Sequence, residues 1–232
     1  MTGIISNSKK GLSGNQLKLI AALLMTIDHI GFILFPNIII LRIIGRLAFP
    51  IFAFAISEGC RYTRNRRVYL MTLFIAATAV QAVYTLITAS LYMNIFVTLT
   101  LSVMSVIVFD EAMLHETKAS VAIFFLYMLA IFSLCEVFPR FIYSFSVDYG
   151  FFGVVLPLWC YIGRNKKEQL LYSFAGLLLL SLSKGGIQYY SLLSVPLIAL
   201  YNGKRGKSTL KWFFYMYYPL HLAVIYAVSF II

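Results

Sequence analysis

Charge is scarce in this chain, and negative charge scarcer still. Only 12% of its 232 residues are charged, and just eight are acidic. A soluble domain carries about a quarter charged residues and roughly half apolar ones. Here 61% are hydrophobic, with a mean hydropathy of +0.88. A globule of that composition in water would expose apolar surface and associate, so lipid is the expected solvent. No linker-like stretch divides the chain, and a single domain is expected over residues 1–232, with 1–16 as a short cytoplasmic N-terminal segment. Cysteine is rare as well. Cys60, Cys135 and Cys160 are odd in number and fit no metal or redox spacing, so they read as small packing residues. There is no glycine-rich phosphate loop, no serine nucleophile elbow and no His/Cys/Asp cluster with metal spacing. Those absences argue against an ATP-driven pump, a serine hydrolase and a metalloenzyme, and no metal is expected. The net charge of +11 is not gathered in a basic domain of its own, so no nucleic-acid partner is expected either.

What the chain does have is apolar runs. A membrane helix needs about 20 mostly apolar residues. Nine candidates can be read: Leu17–Phe35, Ile38–Glu58, Val68–Ser90, Asn94–Phe109, Ala119–Val137, Phe151–Gly163, Gln169–Ser183, Ile187–Tyr201 and Trp212–Ile232. The predicted fold is an all-α, polytopic transmembrane helical bundle of about nine spans. With the N-terminus (Lys9, Lys10) inside, the cytoplasmic segments are Arg61–Arg67, Asp110–Lys118, Arg164–Lys167 and Gly203 to Lys211, the last including Lys204, Arg205 and Lys207. Together with Lys18 they hold 15 of the 19 Lys and Arg residues. Arg140 and Lys184 fall outside, and Arg42 and Arg46 within a span. The positive-inside rule then gives a multi-pass protein of the inner (cytoplasmic) membrane, N-terminus inside and C-terminus outside.

A charge inside a bilayer costs at least about 2.5 kcal/mol, so its presence calls for a reason. Asp28, His29, Arg42 and Arg46 stand in the first two spans. These form a hairpin turning near Pro36 and Asn37, which puts Asp28 and His29 level with Ile44 and Gly45. Arg42 and Arg46 share a helix face at i,i+4 spacing and bracket that level. Asp28 is expected to neutralise one arginine. His29 points about 100° away from it and must face another partner. Lys18 and His29, eleven residues apart, share a face at about 16 Å along the axis. A cytoplasmic cation thus lines up with a mid-membrane imidazole, an arrangement suited to a long anionic donor. A plain structural ion network over Asp28, Arg42 and Arg46 is the alternative, although such a network has no need of a titratable histidine.

Glu58, Gly59, Arg61 and Arg64 form a second polar set, readable as a surface pair or as a basic rim for donor phosphates. In the last span, Pro219 precedes His221, with Tyr217 and Tyr218 just before it. A proline there removes a backbone donor and opens room beside His221, a second candidate for proton transfer or substrate positioning. Gln81, Asn94 and Glu136 serve equally well as interhelical hydrogen-bond partners or site residues. Asn94 is grouped with Tyr218 and His221 as a substrate-binding candidate.

Several motifs are familiar as a set. Leu17-Lys18-Leu19-Ile20-Ala21 is followed by Met25-Thr26-Ile27-Asp28-His29-Ile30-Gly31, then by Arg42 through Phe54, by Glu58-Gly59 and by Tyr62-Thr63-Arg64-Asn65. Asp148-Tyr149-Gly150, Leu200 to Gly206 and Tyr218-Pro219-Leu220-His221 complete the series. Across nearly the whole chain this resembles the TraX family. That resemblance implies an inner-membrane enzyme that acetylates the N-terminal amine of a conjugative pilin, with acetyl-CoA as donor. The basic-x10-His spacing of Lys18 and His29 is also similar to the signature of membrane acyltransferases that O-acetylate surface glycans.

The expected function is acetyl transfer from cytoplasmic acetyl-CoA to an acceptor at or across the membrane, either a protein N-terminus or an envelope glycan. His29, Asp28, Arg46 and Arg42 would form the catalytic group, with His29 as general base or acetyl carrier. Lys18, Glu58, Arg61 and Arg64 would hold the donor. A secondary transporter or channel built on the same buried groups and a non-catalytic assembly partner for pili or the envelope are the alternatives.

Overall fold

The computed structural model describes residues 11–206 and 210–231. Lys9, Lys10 and Lys207, and the side chain of Lys211, lie outside the described residues. Helices dominate, and their starts are written in the sequence. Helix α1 (Gly14–Ile33) opens on a capping box: Gln16 N donates to Ser13 Oγ (3.3 Å) and Ser13 N to Gln16 Oε1 (2.8 Å). The short helix α2 (Ile39–Gly45) returns antiparallel to it, and α3 (Ala48–Tyr62) follows after a break. Side-chain caps from Asn65, Asn94, Thr117 and Asn165 start α4 (Arg66–Thr88), α5 (Ile95–His115), α6 (Lys118–Phe132) and α8 (Lys166–Lys184). Helix α7 (Gly150–Ile162) precedes α8, while α9 (Ser194–Ala199) and α10 (Lys211–Ser229) close the chain.

Two expected spans differ in form for the same reason. Ile38–Glu58 is not one helix, because Pro50 lacks an N–H for the Arg46 carbonyl and crowds it. The chain therefore breaks at Arg46-Leu47 between α2 and α3. Similarly, Pro196 cannot bond to the Leu192 carbonyl. The run Ile187–Tyr201 is a 3₁₀ coil over Gly186–Leu193 followed by the six-residue α9. Asn94–Phe109, by contrast, extends to His115. Among the described residues, five helical stretches are long and apolar enough to cross a membrane: Gly14–Ile33, Ile39–Tyr62, Arg66–Thr88, Ile95–His115 and Lys118–Arg140. This is a helical membrane protein.

The bundle is inverted relative to a water-soluble one. Large apolar side chains such as Leu23, Ile75, Leu86, Phe125, Leu129 and Val224 face outward. Inside, Ser57, Thr98, Ser102, Ser105, Ser173, Ser181 and Ser194 are buried beside Ile51, Leu156, Leu177 and Leu180. Small hydroxyl residues let helix backbones approach closely, and their hydroxyls return to backbone carbonyls, as Ser102 Oγ does to Thr98 O (2.8 Å). The three cysteines are buried and unbridged.

Polar contacts tie the helix ends into two groups. At one end Arg66 pairs with Asp110, Arg61 donates to the Tyr161 and Gly163 carbonyls, and Lys166 donates to the Tyr201 carbonyl. Residues 200–206 lie along the start of α1: Leu12 N donates to Leu200 O (2.8 Å), Gly14 N to Lys204 O (2.8 Å) and Asn15 N to Arg205 O (2.9 Å). At the other end, β1 (Tyr92–Met93) and β2 (Ser146–Val147) pair in parallel. Near them Glu136 accepts from Phe151 N (3.0 Å) at the start of α7.

Candidate active site

Helix α1 supplies the centre of the site. Asp28 is buried and meets α2 where that helix is thinnest. Gly45 lies against the Asp28 side chain, and a Cβ at that position would overlap it. Arg42 and Arg46, one turn apart, then close on the carboxylate from both sides. Arg42 Nη1 reaches Oδ2 (2.5 Å) and the Asp28 carbonyl (3.2 Å), while Arg46 Nη2 reaches Oδ1 (2.7 Å) and Oδ2 (2.8 Å). One carboxylate was expected to neutralise one arginine; it binds both. The cluster is left with one net positive charge. Arg46 Nε is buried and has no hydrogen-bond partner among the described residues. The break forced by Pro50 falls at Arg46, so this residue ends α2 and is not locked inside a continuous helix.

His29, the next residue, turns to α10. Its Nδ1 lies 2.9 Å from His221 Nε2, and His221 Nδ1 lies 2.8 Å from the Tyr217 carbonyl. Tyr218 meets the His29 ring edge-on at 6.3 Å, and Tyr217 stacks on His221 at 5.2 Å and 12°. The 100° step between neighbouring helical residues sends Asp28 and His29 to different partners.

A cavity of about 740 Å³ lies between α1, α3, α4, α5 and α10. Its wall includes Leu17, Met25, Ile51, Phe96, Leu99 and Tyr218, so it is apolar in depth. Its mouth lies at the chain end that carries the basic segments, where Lys18, Arg64 and Arg205 face it together with Glu58, Tyr62 and Asn65. Lys18 Nζ sits over the Phe214 ring at 4.7 Å. Among the described residues neither Arg64 nor Arg205 takes part in an ion pair. Met25, one helical turn before His29, and Tyr218, in edge contact with the His29 ring, belong to the wall, whereas His29, Asp28, Arg42, Arg46 and His221 do not line the cavity.

Of the donor-side candidates, the structure brings Lys18, Glu58 and Arg64 to this cavity. Arg61 faces the other way: it hydrogen-bonds the carbonyls at the end of α7 and touches Glu58 at 3.3 Å. Among the substrate candidates, Tyr218 and His221 join the centre and Asn94 does not. The Asn94 side chain caps α5 through Phe96 N (2.9 Å) and donates to Gln81 Oε1 (2.8 Å) and Ala77 O (3.2 Å), so its carboxamide is committed to structure. Arg205 escaped the sequence reading as a site residue. The only signal was its place in a basic segment, and nothing in the sequence announces that residues 200–206 fold back onto α1.

No solved structure matches this chain. Uncharacterized protein RP591 of Rickettsia prowazekii is 49% identical over 51 residues, which span 22% of this chain and 20% of that protein. Probable fimbrial assembly protein FimC, serogroup H1, of Dichelobacter nodosus is 25% identical over 92% of this chain and 94% of its own length. The family described as TraX protein matches residues 13–229, a range that takes in every helix and every residue of the cavity and of the Asp28–His29 centre. The chain belongs to the TraX family.

Proposed function

We propose that this protein is a membrane-embedded acyltransferase that moves an acetyl group from cytoplasmic acetyl-CoA to an acceptor amine. The observation that carries the reading is the cavity with a three-cation mouth and a wall that includes Met25 and Tyr218, the neighbours of His29 on α1 and α10. Lys18, Arg64 and Arg205 suit the phosphates of the donor, since guanidinium forks match phosphate oxygens. The apolar depth suits its arm, and the ~16 Å between Lys18 and His29 along α1 suits its length. The acceptor nitrogen would attack the thioester carbonyl carbon while His29 takes its proton. The carbonyl oxygen would gather negative charge beside the Arg42–Arg46 pair, where the unpartnered Arg46 Nε is a ready donor. Collapse would break the carbon–sulfur bond, and the thiolate would recover the proton.

The chain is proposed to cross the inner membrane nine times, with its N-terminus in the cytoplasm. The interlinked basic ends at α1, α3–α4, α7–α8 and residues 200–206 support that orientation. Family membership and the fimbrial-assembly name of the Dichelobacter nodosus relative favour a pilin-like N-terminus as acceptor over an envelope glycan. Transport through the same groups is less well supported, because Asp28 is saturated by two arginines and offers no open carboxylate to a passing ion.

Acetyl-CoA added to the purified protein should raise its melting temperature, and envelope proteins from cells lacking the gene should lose an acetyl group detectable by mass spectrometry. Stabilisation by ions alone, with an unchanged acetylation pattern, would overturn the reading. His29→Ala, folded and inserted, should lose about 10²–10⁴-fold in transfer rate, the usual worth of a positioned base.

A further inference from the structure

The buried His221 on α10 takes no proton in acetyl transfer by His29, yet it lies 2.9 Å from the His29 ring. A backbone carbonyl only accepts hydrogen bonds. Since His221 Nδ1 lies 2.8 Å from the Tyr217 carbonyl, that nitrogen carries the hydrogen. With the ring neutral, His221 Nε2 is then a lone pair, and it faces His29 Nδ1 at 2.9 Å. His29 Nδ1 must therefore be the protonated nitrogen, with the Met25 carbonyl one turn back on α1 as a further acceptor near the ring, and His29 Nε2 is left bare. A fixed hydrogen bond on one ring nitrogen decides what the other can do.

His221 is itself held in place. Thr26 Oγ1 donates to the Ala22 carbonyl (3.0 Å), so the 2.6 Å contact between Thr26 and Tyr217 is a bond donated by the tyrosine hydroxyl. It pins α10 against α1 less than one turn from His29. The Tyr217 ring then covers one face of the His221 imidazole.

We propose that His221 is a positioning residue, and that it locks His29 in the tautomer whose Nε2 is free to take a proton from an attacking acceptor. This rests on the reading of His29 as the base and extends it. The proton arriving at Nε2 makes His29 an imidazolium, and its Nδ1–H bond to the neutral His221 becomes charge-assisted. No further co-reactant is required. His221 therefore does not bind the acceptor; it sets the nitrogen with which His29 meets it.

The test uses the full chain reconstituted in lipid, labelled with ¹⁵N-histidine. In the wild type, nitrogen NMR should find His29 and His221 each protonated at Nδ1 and bare at Nε2. A His29 ring protonated at Nε2 would overturn the proposal, and this readout needs no activity and no variant. In the transfer assay His221→Ala should lower the turnover rate by about 10²-fold. Acetyl-CoA affinity should stay within about twofold, because the three-cation mouth is remote from it. His221→Gln, whose carbonyl oxygen can accept the same Nδ1–H, should recover most of the rate. Full turnover in His221→Ala would also overturn the proposal. Should His29→Ala remain fully active, the base reading itself fails, whatever the nitrogen spectra show.

Discussion

Asp28→Asn should be among the most damaging single-atom changes available to this protein. The carboxylate accepts from Arg42 at 2.5 Å and from Arg46 at 2.7 and 2.8 Å. The amide would put an N–H₂ where one of those oxygens faces a guanidinium, and both arginines would lose the charged carboxylate they share. Side-chain exposure is 11% for Asp28, 21% for Arg42 and 14% for Arg46, so the protein shields most of the group. Breaking a buried pair by removing one partner costs about 3–5 kcal/mol, against about 1 kcal/mol at most for an exposed pair. The lower bound, about 3 kcal/mol, is the least loss expected. For a chain of this size that corresponds to a fall of roughly 6–12 °C in apparent melting temperature, measured in detergent by intrinsic fluorescence. Adding Arg42→Gln to Asp28→Asn should regain part of the loss, because the double variant removes one of the two uncompensated cations. A loss under about 1 kcal/mol, or a double variant less stable than Asp28→Asn, would refute the picture of one shielded carboxylate holding two arginines.

Other substitutions separate donor binding from scaffolding. Arg205→Gln and Lys18→Gln should each weaken acetyl-CoA-dependent thermal stabilisation, by about tenfold in affinity for the loss of a charge-assisted contact. Arg61→Gln should leave that affinity unchanged and lower the melting temperature, since the Arg61 guanidinium binds the Tyr161 and Gly163 carbonyls. Asn94→Ala should cost at least about 1 kcal/mol, since it removes a helix cap together with the bonds to Gln81 and Ala77, read by thermal unfolding, with turnover per folded molecule unaltered.

The parts of the fold legible in the sequence are those set by local chemistry. Ser13, Asn65, Asn94, Thr117 and Asn165 cap the helices that follow them, and the apolar runs between caps are the helices themselves. The two breaks were legible in principle as well, because Pro50 and Pro196 each deny a bond to a specific carbonyl; hydropathy alone hides them, since proline costs an apolar run nothing. The convergence of Asp28 on Arg42 and Arg46 could be read from a hairpin count of a few residues. The cavity mouth could not. Arg64 and Arg205 are brought together by the return of residues 200–206 onto α1, and backbone bonds from Leu12, Gly14 and Asn15 make that closure without regard to side-chain type. For the same reason Arg61 and Arg64, three residues apart in one basic run, end on opposite duties.

One helix face does most of what the site requires. Lys18 and His29 lie along the same line of α1, so the cationic mouth and the imidazole are set at a fixed depth by eleven residues of rigid helix. Asp28 adds a second direction, and the resulting ion cluster holds α2 in register. Gly45 permits that approach, and the break at Arg46 frees the end of α2 to wrap the carboxylate. Because the arginines are held by Asp28, the His29 ring takes its partners from His221 on α10 and from the Met25 carbonyl one turn back on α1. The charge cluster and the histidine pair thus divide the work. Asp28 fixes where the positive charge stands, and His221 fixes which nitrogen of His29 is bare. A change on one side should leave the other's geometry intact. Arg42→Gln should therefore alter stability and turnover while the Nδ1-protonated form of His29 persists in the nitrogen spectrum. Loss of that form in Arg42→Gln would mean that the two halves are a single network.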